Sequence, residues 1–253
     1  MTRRSEPLFN FPTVIAVLIA AFGVVHAVRE LLITPAQDIE FLLQFAFIPA
    51  RYAIDSLLYP TLPGGVGAEI WTFVTYAFIH GDMTHLVINI IWLLPFGTAV
   101  ARRFGTGRFL AFFAATAAGG ALVHLISHQG ELLPMIGSSA AISGFMAAAM
   151  RFVFQTGGPL GVLRSTEPHS YLVPAVPLRD AMQDPRILAF LGVWFGLNIL
   201  FGLGSVSLLG VTQPVAWQAH IGGFLAGLLL FPFFDPVTVV AAGRRDPTDH
   251  AAQ

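Results

Sequence analysis

The sequence predicts an all-α polytopic membrane protein with six transmembrane helices, and three observations carry that expectation. Hydrophobic residues make up 55% of the 253 and charged residues 11%, with a mean hydropathy of +0.73. That is more apolar surface than the core of one soluble domain can hide. Charge-free apolar runs long enough to cross hydrocarbon, about 20 residues each, recur along the chain. The arginines gather between alternate runs, as they do in loops held on one side of a bilayer.

Spans are expected over about 11–28, 83–100, 109–127, 135–154, 187–203 and 215–234. They lie in a membrane domain of 11–235, after a cytoplasmic segment of 1–10 and before a polar tail of 236–253. The first run follows Arg3 and Arg4, is long for a signal peptide and has no small-residue cleavage site after it, so it reads as a retained helix. The stretch from Thr34 to Asp82 mixes Asp38, Glu40, Arg51, Asp55 and Glu69 with apolar runs such as Ile54–Tyr59, and Pro49, Pro60 and Pro63 break it. Such a segment lies at the interface instead of crossing. Arg102, Arg103 and Arg108 mark a short turn between the second and third spans, and His128–Glu131 a short loop at the opposite end. From Gln155 to Arg186 the chain is polar and contains proline, an irregular connection of about 30 residues. The run from Ile187 to Phe234 holds one ionisable side chain, His220, and Gly202–Gln213 divides it into two spans.

With six spans, every arginine except Arg29 and Arg51 falls on the side of the two termini. That side is cytoplasmic by the arginine bias, and a multi-pass protein of a bacterial inner membrane is expected. Ser139 and His220 then both stand at the outer ends of their helices. The chain has no cysteine, which removes disulfides and thiolate chemistry. A net charge of −1 gives no footprint for nucleic acid. The lipid bilayer is the partner the composition itself demands, no cofactor is implied, and no inverted repeat of the transporter kind is evident.

Ser139 lies in Gly137-Ser138-Ser139-Ala140-Ala141 and His220 in Ala219-His220-Ile221-Gly222-Gly223. Ionisable groups at membrane depth are costly and mark function unless a partner explains them. An imidazole beside a serine hydroxyl is a hydrolytic pair. Ala219, Gly223 and Gly227 recur every fourth residue, as do Ala140 and Gly144, so the two helices can approach nearly backbone to backbone. His85 and Asn89 share one helical face, with His80 just before it, and an imidazole N–H with a carboxamide NH₂ can meet an oxyanion. A metal site from His80, Asp82 and His85 is the competing reading; it lacks the Glu-flanked histidine pair and further carboxylate of a zinc protease, and no metal is expected. His124 and His128 read as an interfacial polar edge, Trp92 and Asn198 as helix packing, and His26 and Arg29 as the outer end of the first span.

Taken in order, His80, His85-Leu86 and Asn89, then Gly137 and Ser139, then Ala219-His220 with its glycines resemble the rhomboid family of intramembrane serine proteases, from Trp71 to about Leu230. The resemblance implies a rhomboid-like six-helix bundle with an interfacial first outer loop over Thr34–Asp82. It implies Ser139 as nucleophile, His220 as general base and then acid, and His85, Asn89 and the Ser139 N–H as the oxyanion hole, supported by His80 and Gly137. Gly204–Trp217 would be a cap over the site. The substrates would be transmembrane segments of other proteins, cut near their outer end. Thr72, Ala101, Ala140 and Ser143 depart from residues common in the family, without removing a reacting group.

A helical substrate hides its carbonyls in its own hydrogen bonds, so substrates with small or helix-breaking residues at the cut are expected. No aspartate is evident to orient His220, which leaves a dyad and slow turnover. A catalytically inactive rhomboid-like client-binding protein and a proton-coupled transporter, using His80, His85, His124 and His220, are the alternatives.

Overall fold

The computed structural model describes residues 11–53, 62–161, 168–203 and 215–237. Among these the α-helices are α1 (Thr13–Leu31), α2 (Pro35–Phe45), α3 (Gly65–Thr75), α4 (Met83–Phe104), α5 (Thr106–Ser127), α6 (Ser139–Ala149), α7 (Leu178–Ala181), α8 (Pro185–Leu203) and α9 (Trp217–Phe234). The expected cap lies outside the described residues over 204–214, as do 1–10, 54–61, Arg164, Glu167 and 238–253.

Local chemistry explains where these helices start and stop. Thr34 and Gln37 form a reciprocal capping box, with Pro35 at the first position of α2. Asp82 begins α4 by accepting the His85 backbone N–H at 2.7 Å. Gly105, at φ +74°, turns the chain between α4 and α5 in a conformation that favours glycine.

The protein is an integral membrane protein of all-helical, polytopic architecture. Helices α1, α4, α5 and α9 are long and apolar enough to cross a bilayer, while α6 and the apolar part of α8, Pro185–Leu200, are shorter. The apolar run predicts a span over 135–154, but the helix occupies only Ser139–Ala149. Residues Ala140–Ala149 are all buried. Enclosed by neighbouring helices, this segment does not have to satisfy its backbone against lipid, so turns are tolerated at both its ends. The Thr34–Asp82 stretch forms α2, α3 and two short 3₁₀ turns.

At the centre, α9 packs against α5 and α6. A Cβ on Gly223 would overlap the Ala140 carbonyl, and one on Gly227 the Gly144 carbonyl. Gly144 itself lies against Thr116 of α5. At the end of the bundle remote from Ser139, Arg103 donates to both carboxylate oxygens of Asp235, each at 2.8 Å, and to the carbonyls of Tyr171 and Val173. Its guanidinium lies 4.5 Å from the Phe152 ring centroid. Arg103 and Arg151 thus point inward as structural groups, though both count in the arginine bias. A paired, fully hydrogen-bonded ion pair is costly to break by removing one partner.

Gly223→Val should force α9 off α6 and lower stability by about 1–3 kcal/mol or more. Gly196→Ala in α8, where a Cβ meets nothing within 4 Å, should leave stability unchanged or raise it by up to about 1 kcal/mol. Thermal unfolding of both variants in detergent checks the contrast.

Candidate active site

The loop before α6 is held in place by backbone hydrogen bonds of its own. Phe47 and Met135 exchange backbone hydrogen bonds of 3.1 and 2.8 Å, and the Gly137 N–H donates to the Tyr76 carbonyl at 3.0 Å. The Tyr76 hydroxyl in turn donates to the Ala117 carbonyl of α5 at 2.9 Å. Gly137 has φ +112°, and a Cβ there would sit 2.6 Å from His85 Nε2. Its missing side chain keeps open the space between the His85 ring and Ser139.

Ser139 and His220 meet in this space, with Nε2 2.7 Å from Oγ. Ser139 is the first residue of α6, so its backbone N–H has no partner within the helix. The Gly81 N–H donates to His85 Nδ1 at 3.4 Å. That leaves the hydrogen on His85 Nε2, the nitrogen beside Gly137. Asn89 lines the same cavity, and one of its amide hydrogens goes to the His85 carbonyl at 2.9 Å. The cavity, about 680 Å³, is bounded by Ser139, His220, His85 and Asn89, with His124, His128 and Glu131 also on its wall.

A second serine–histidine contact lies behind the first, His80 Nε2 to Ser138 Oγ at 3.3 Å. Ser138 donates its only hydroxyl hydrogen to Asn89 Oδ1 at 3.0 Å, so it can only accept from His80. Ser138 is also fully buried. This pair orients Asn89; it has no proton to surrender. Asp82 is committed as the α4 cap, and among the described residues no three His, Asp or Glu side chains gather as a metal-binding group.

Residues 67–234 match the Rhomboid domain. The chain belongs to the rhomboid family. It is 27% identical to Rhomboid-like protein 16, chloroplastic, of Arabidopsis thaliana over 140 residues, 55% of this chain and 39% of that one. It is 25% identical to Rhomboid protease GlpG of Yersinia enterocolitica over 162 residues, 64% of this chain and 47% of that one. Rhomboid protease GlpG of Yersinia pestis matches to the same extent. The chain thus spans less than half the length of the curated relatives it matches.

Within this rhomboid two of the sequence departures, Thr72 and Ser143, have local accounts. Thr72 bonds the Ala68 carbonyl at 2.6 Å and the Tyr52 hydroxyl at 2.9 Å, while Arg51 ties the outer segment through the carbonyls of Pro63 and Leu43. Ser143 bonds back to the Ser139 carbonyl at 2.8 Å. Four other residues stand differently from the sequence reading. Arg29 is buried and paired with Asp38 at 2.7 Å, and its other arm holds the His80 carbonyl at 2.8 Å. His124 and His128 stack at 4.1 Å on the cavity wall. Asn198, expected only to pack, reaches His220 Nδ1 at 2.5 Å. Its signal in the sequence is a carboxamide inside an uncharged membrane-length run, the same signal that singled out His220.

His80 stands in the loop ahead of α4, and burial, with His85 and His26 nearby, pushes it down to about 3. The unfolded chain binds that proton near pH 6.5. Stability owed to a neutral His80 is therefore intact above about 6.5 and is lost progressively as pH falls toward 3. The melting temperature should drop between pH 7 and pH 4.5, and His80→Gln should show a smaller drop over the same interval.

Proposed function

We propose that this rhomboid is an intramembrane serine endopeptidase that cleaves transmembrane segments of membrane proteins near their outer end. The observation that carries the reading is the 2.7 Å contact between Ser139 Oγ and His220 Nε2 on the wall of an open cavity. His220 takes the hydroxyl proton as Ser139 attacks the scissile carbonyl, and returns it to the leaving amine. The tetrahedral oxyanion is met by the Ser139 N–H, by His85 Nε2–H and by the second amide hydrogen of Asn89. Water entering the cavity then releases the acyl group by the same base.

The arginine bias supports a reading with both termini in the cytoplasm and the cavity facing outward, in a bacterial inner membrane. A substrate helix must expose its carbonyl before attack. Residues of low helix propensity at the cut favour that exposure.

The test is cleavage of a single-span reporter in liposomes. Ser139→Ala and His220→Ala should each lose at least about 10³-fold in rate while remaining folded. Ser138→Ala should keep cutting, at a rate lowered by about tenfold as Asn89 loses its hydroxyl partner. A Ser138→Ala protein that is inert beside an active Ser139→Ala would transfer the reaction to the His80–Ser138 contact. A folded wild type that cuts no member of a varied reporter panel would favour client binding without cleavage.

A further inference from the structure

Helix α8 buries a single stripe, Ile187, Leu191, Trp194 and Asn198, while Leu188, Val193, Leu197, Ile199 and Leu200 are exposed. The spacing of four, three and four is that of one helical face. Trp194 stacks on Phe224 of α9 at 4.8 Å, and Asn198 continues the same face one turn later. A buried carboxamide there is costly unless both of its ends are bonded.

Both ends are bonded, and the first bond dictates the second. Asn198 Nδ2 donates to the Trp194 carbonyl at 2.8 Å. The amide oxygen therefore faces His220 Nδ1, at 2.5 Å, and an amide oxygen only accepts. The hydrogen of neutral His220 is thus fixed on Nδ1. The lone pair is left on Nε2, the nitrogen 2.7 Å from Ser139 Oγ. Resting on the Ser139–His220 reading, we propose that Asn198 is a positioning residue: it holds His220 in the one tautomer and ring orientation in which Nε2 can accept the Ser139 proton.

An amide in this place differs from a carboxylate in one respect. It fixes the tautomer as an aspartate would, but it supplies no negative charge to the imidazolium formed during attack. The groups facing His220 from the packed elements are Ser139 of α6, His85 of α4 and Asn198 of α8, with His124 of α5 sharing the cavity. Asp82, Glu131, His128 and Arg29 also line that cavity, but both ring nitrogens of His220 are taken by Asn198 and Ser139, so no carboxylate hydrogen-bonds it. The imidazolium formed during attack thus lacks the partner charge that an acid at position 198 would give it, and the enzyme should remain active at lower pH than a form carrying that acid.

The experiment measures kcat and KM for reporter cleavage between pH 5 and 9 in liposomes, with melting temperatures recorded alongside. Wild type, Ser139→Ala, Asn198→Ala and Asn198→Asp are compared. Asn198→Ala should lower kcat by about 10- to 100-fold with KM unchanged, as for loss of an orienting partner. Asn198→Asp keeps the acceptor and adds charge, which raises the basicity of His220. Its kcat should recover at high pH, and its acid limb should move upward by about one unit. If Asn198→Ala does not fold, the near-isosteric Asn198→Asp profile decides. An acid limb coinciding with that of wild type, or an Asn198→Ala loss seen only in melting temperature, overturns the positioning role while leaving the protease reading intact. Absence of wild-type cleavage, or cleavage by Ser139→Ala, overturns both.

Discussion

The approach of α9 to α6 governs the rest of the molecule. Gly223 and Gly227 lie against the carbonyls of Ala140 and Gly144, so the two backbones meet where ordinary helix pairs are held 8–10 Å apart by side chains. Ser139 begins α6 and His220 stands three residues before Gly223. Their side chains are short, and the 2.7 Å contact between them exists only because the helices touch first. In lipid the hydrophobic effect gives helices no reason to associate, and close van der Waals contact takes its place. The small-residue stripes are therefore both the adhesive of the bundle and the ruler that sets the Ser–His distance.

Around that contact, polar groups are arranged by direction of donation as well as by proximity. His80 donates to Ser138, Ser138 to Asn89, and Asn89 to the His85 carbonyl. His85 accepts at Nδ1 from the Gly81 N–H, and His220 donates at Nδ1 to Asn198. The two imidazoles are held in opposite tautomers, so one presents a hydrogen to the cavity and the other a lone pair. A buried network directed in this way leaves few alternatives for Ser138 and His220, while His80 Nδ1 has no hydrogen-bond partner among the described residues. Arg29 and Asp38 extend it to α1 and α2 by fixing the His80 carbonyl.

The helical membrane architecture was legible because hydrocarbon imposes a length and a composition that can be counted directly. That Ser139, His220, His85 and Asn89 share one cavity was legible for a related reason: polar residues in such runs stand out, and the four-residue spacing of glycine and alanine says which helices can meet. The short extent of α6 was not legible. Apolarity marks burial in protein and burial in lipid alike, and Met135–Phe154 is enclosed by its neighbours. Asn198 escaped because its role depends on a partner 22 residues away, across 204–214, whose spacing follows no helical period. The ion pairs Arg29–Asp38 and Arg103–Asp235 are likewise long-range pairings of residues that singly read as interfacial charges.

The cleavage proposed above would need its nucleophile on exposed, irregular backbone, and irregular backbone is what a bilayer does not tolerate. The fold brings hydrogen-bond partners of its own to the irregular backbone ahead of Ser139. Met135 is paired by Phe47, and the Gly137 N–H by the Tyr76 carbonyl; both partners come from the Thr34–Asp82 stretch. Trp71 and Thr75 fasten that stretch to itself through the carbonyls of Gln44 and Phe45. The segment that does not cross the membrane is thus the condition for the segment that carries Ser139. It satisfies the backbone ahead of α6, so α6 can begin at the serine with its first N–H groups outside the helical ladder. A seamless membrane-spanning helix through 135–154 would have placed the Ser139 N–H inside the helical ladder, with nothing left to offer an oxyanion.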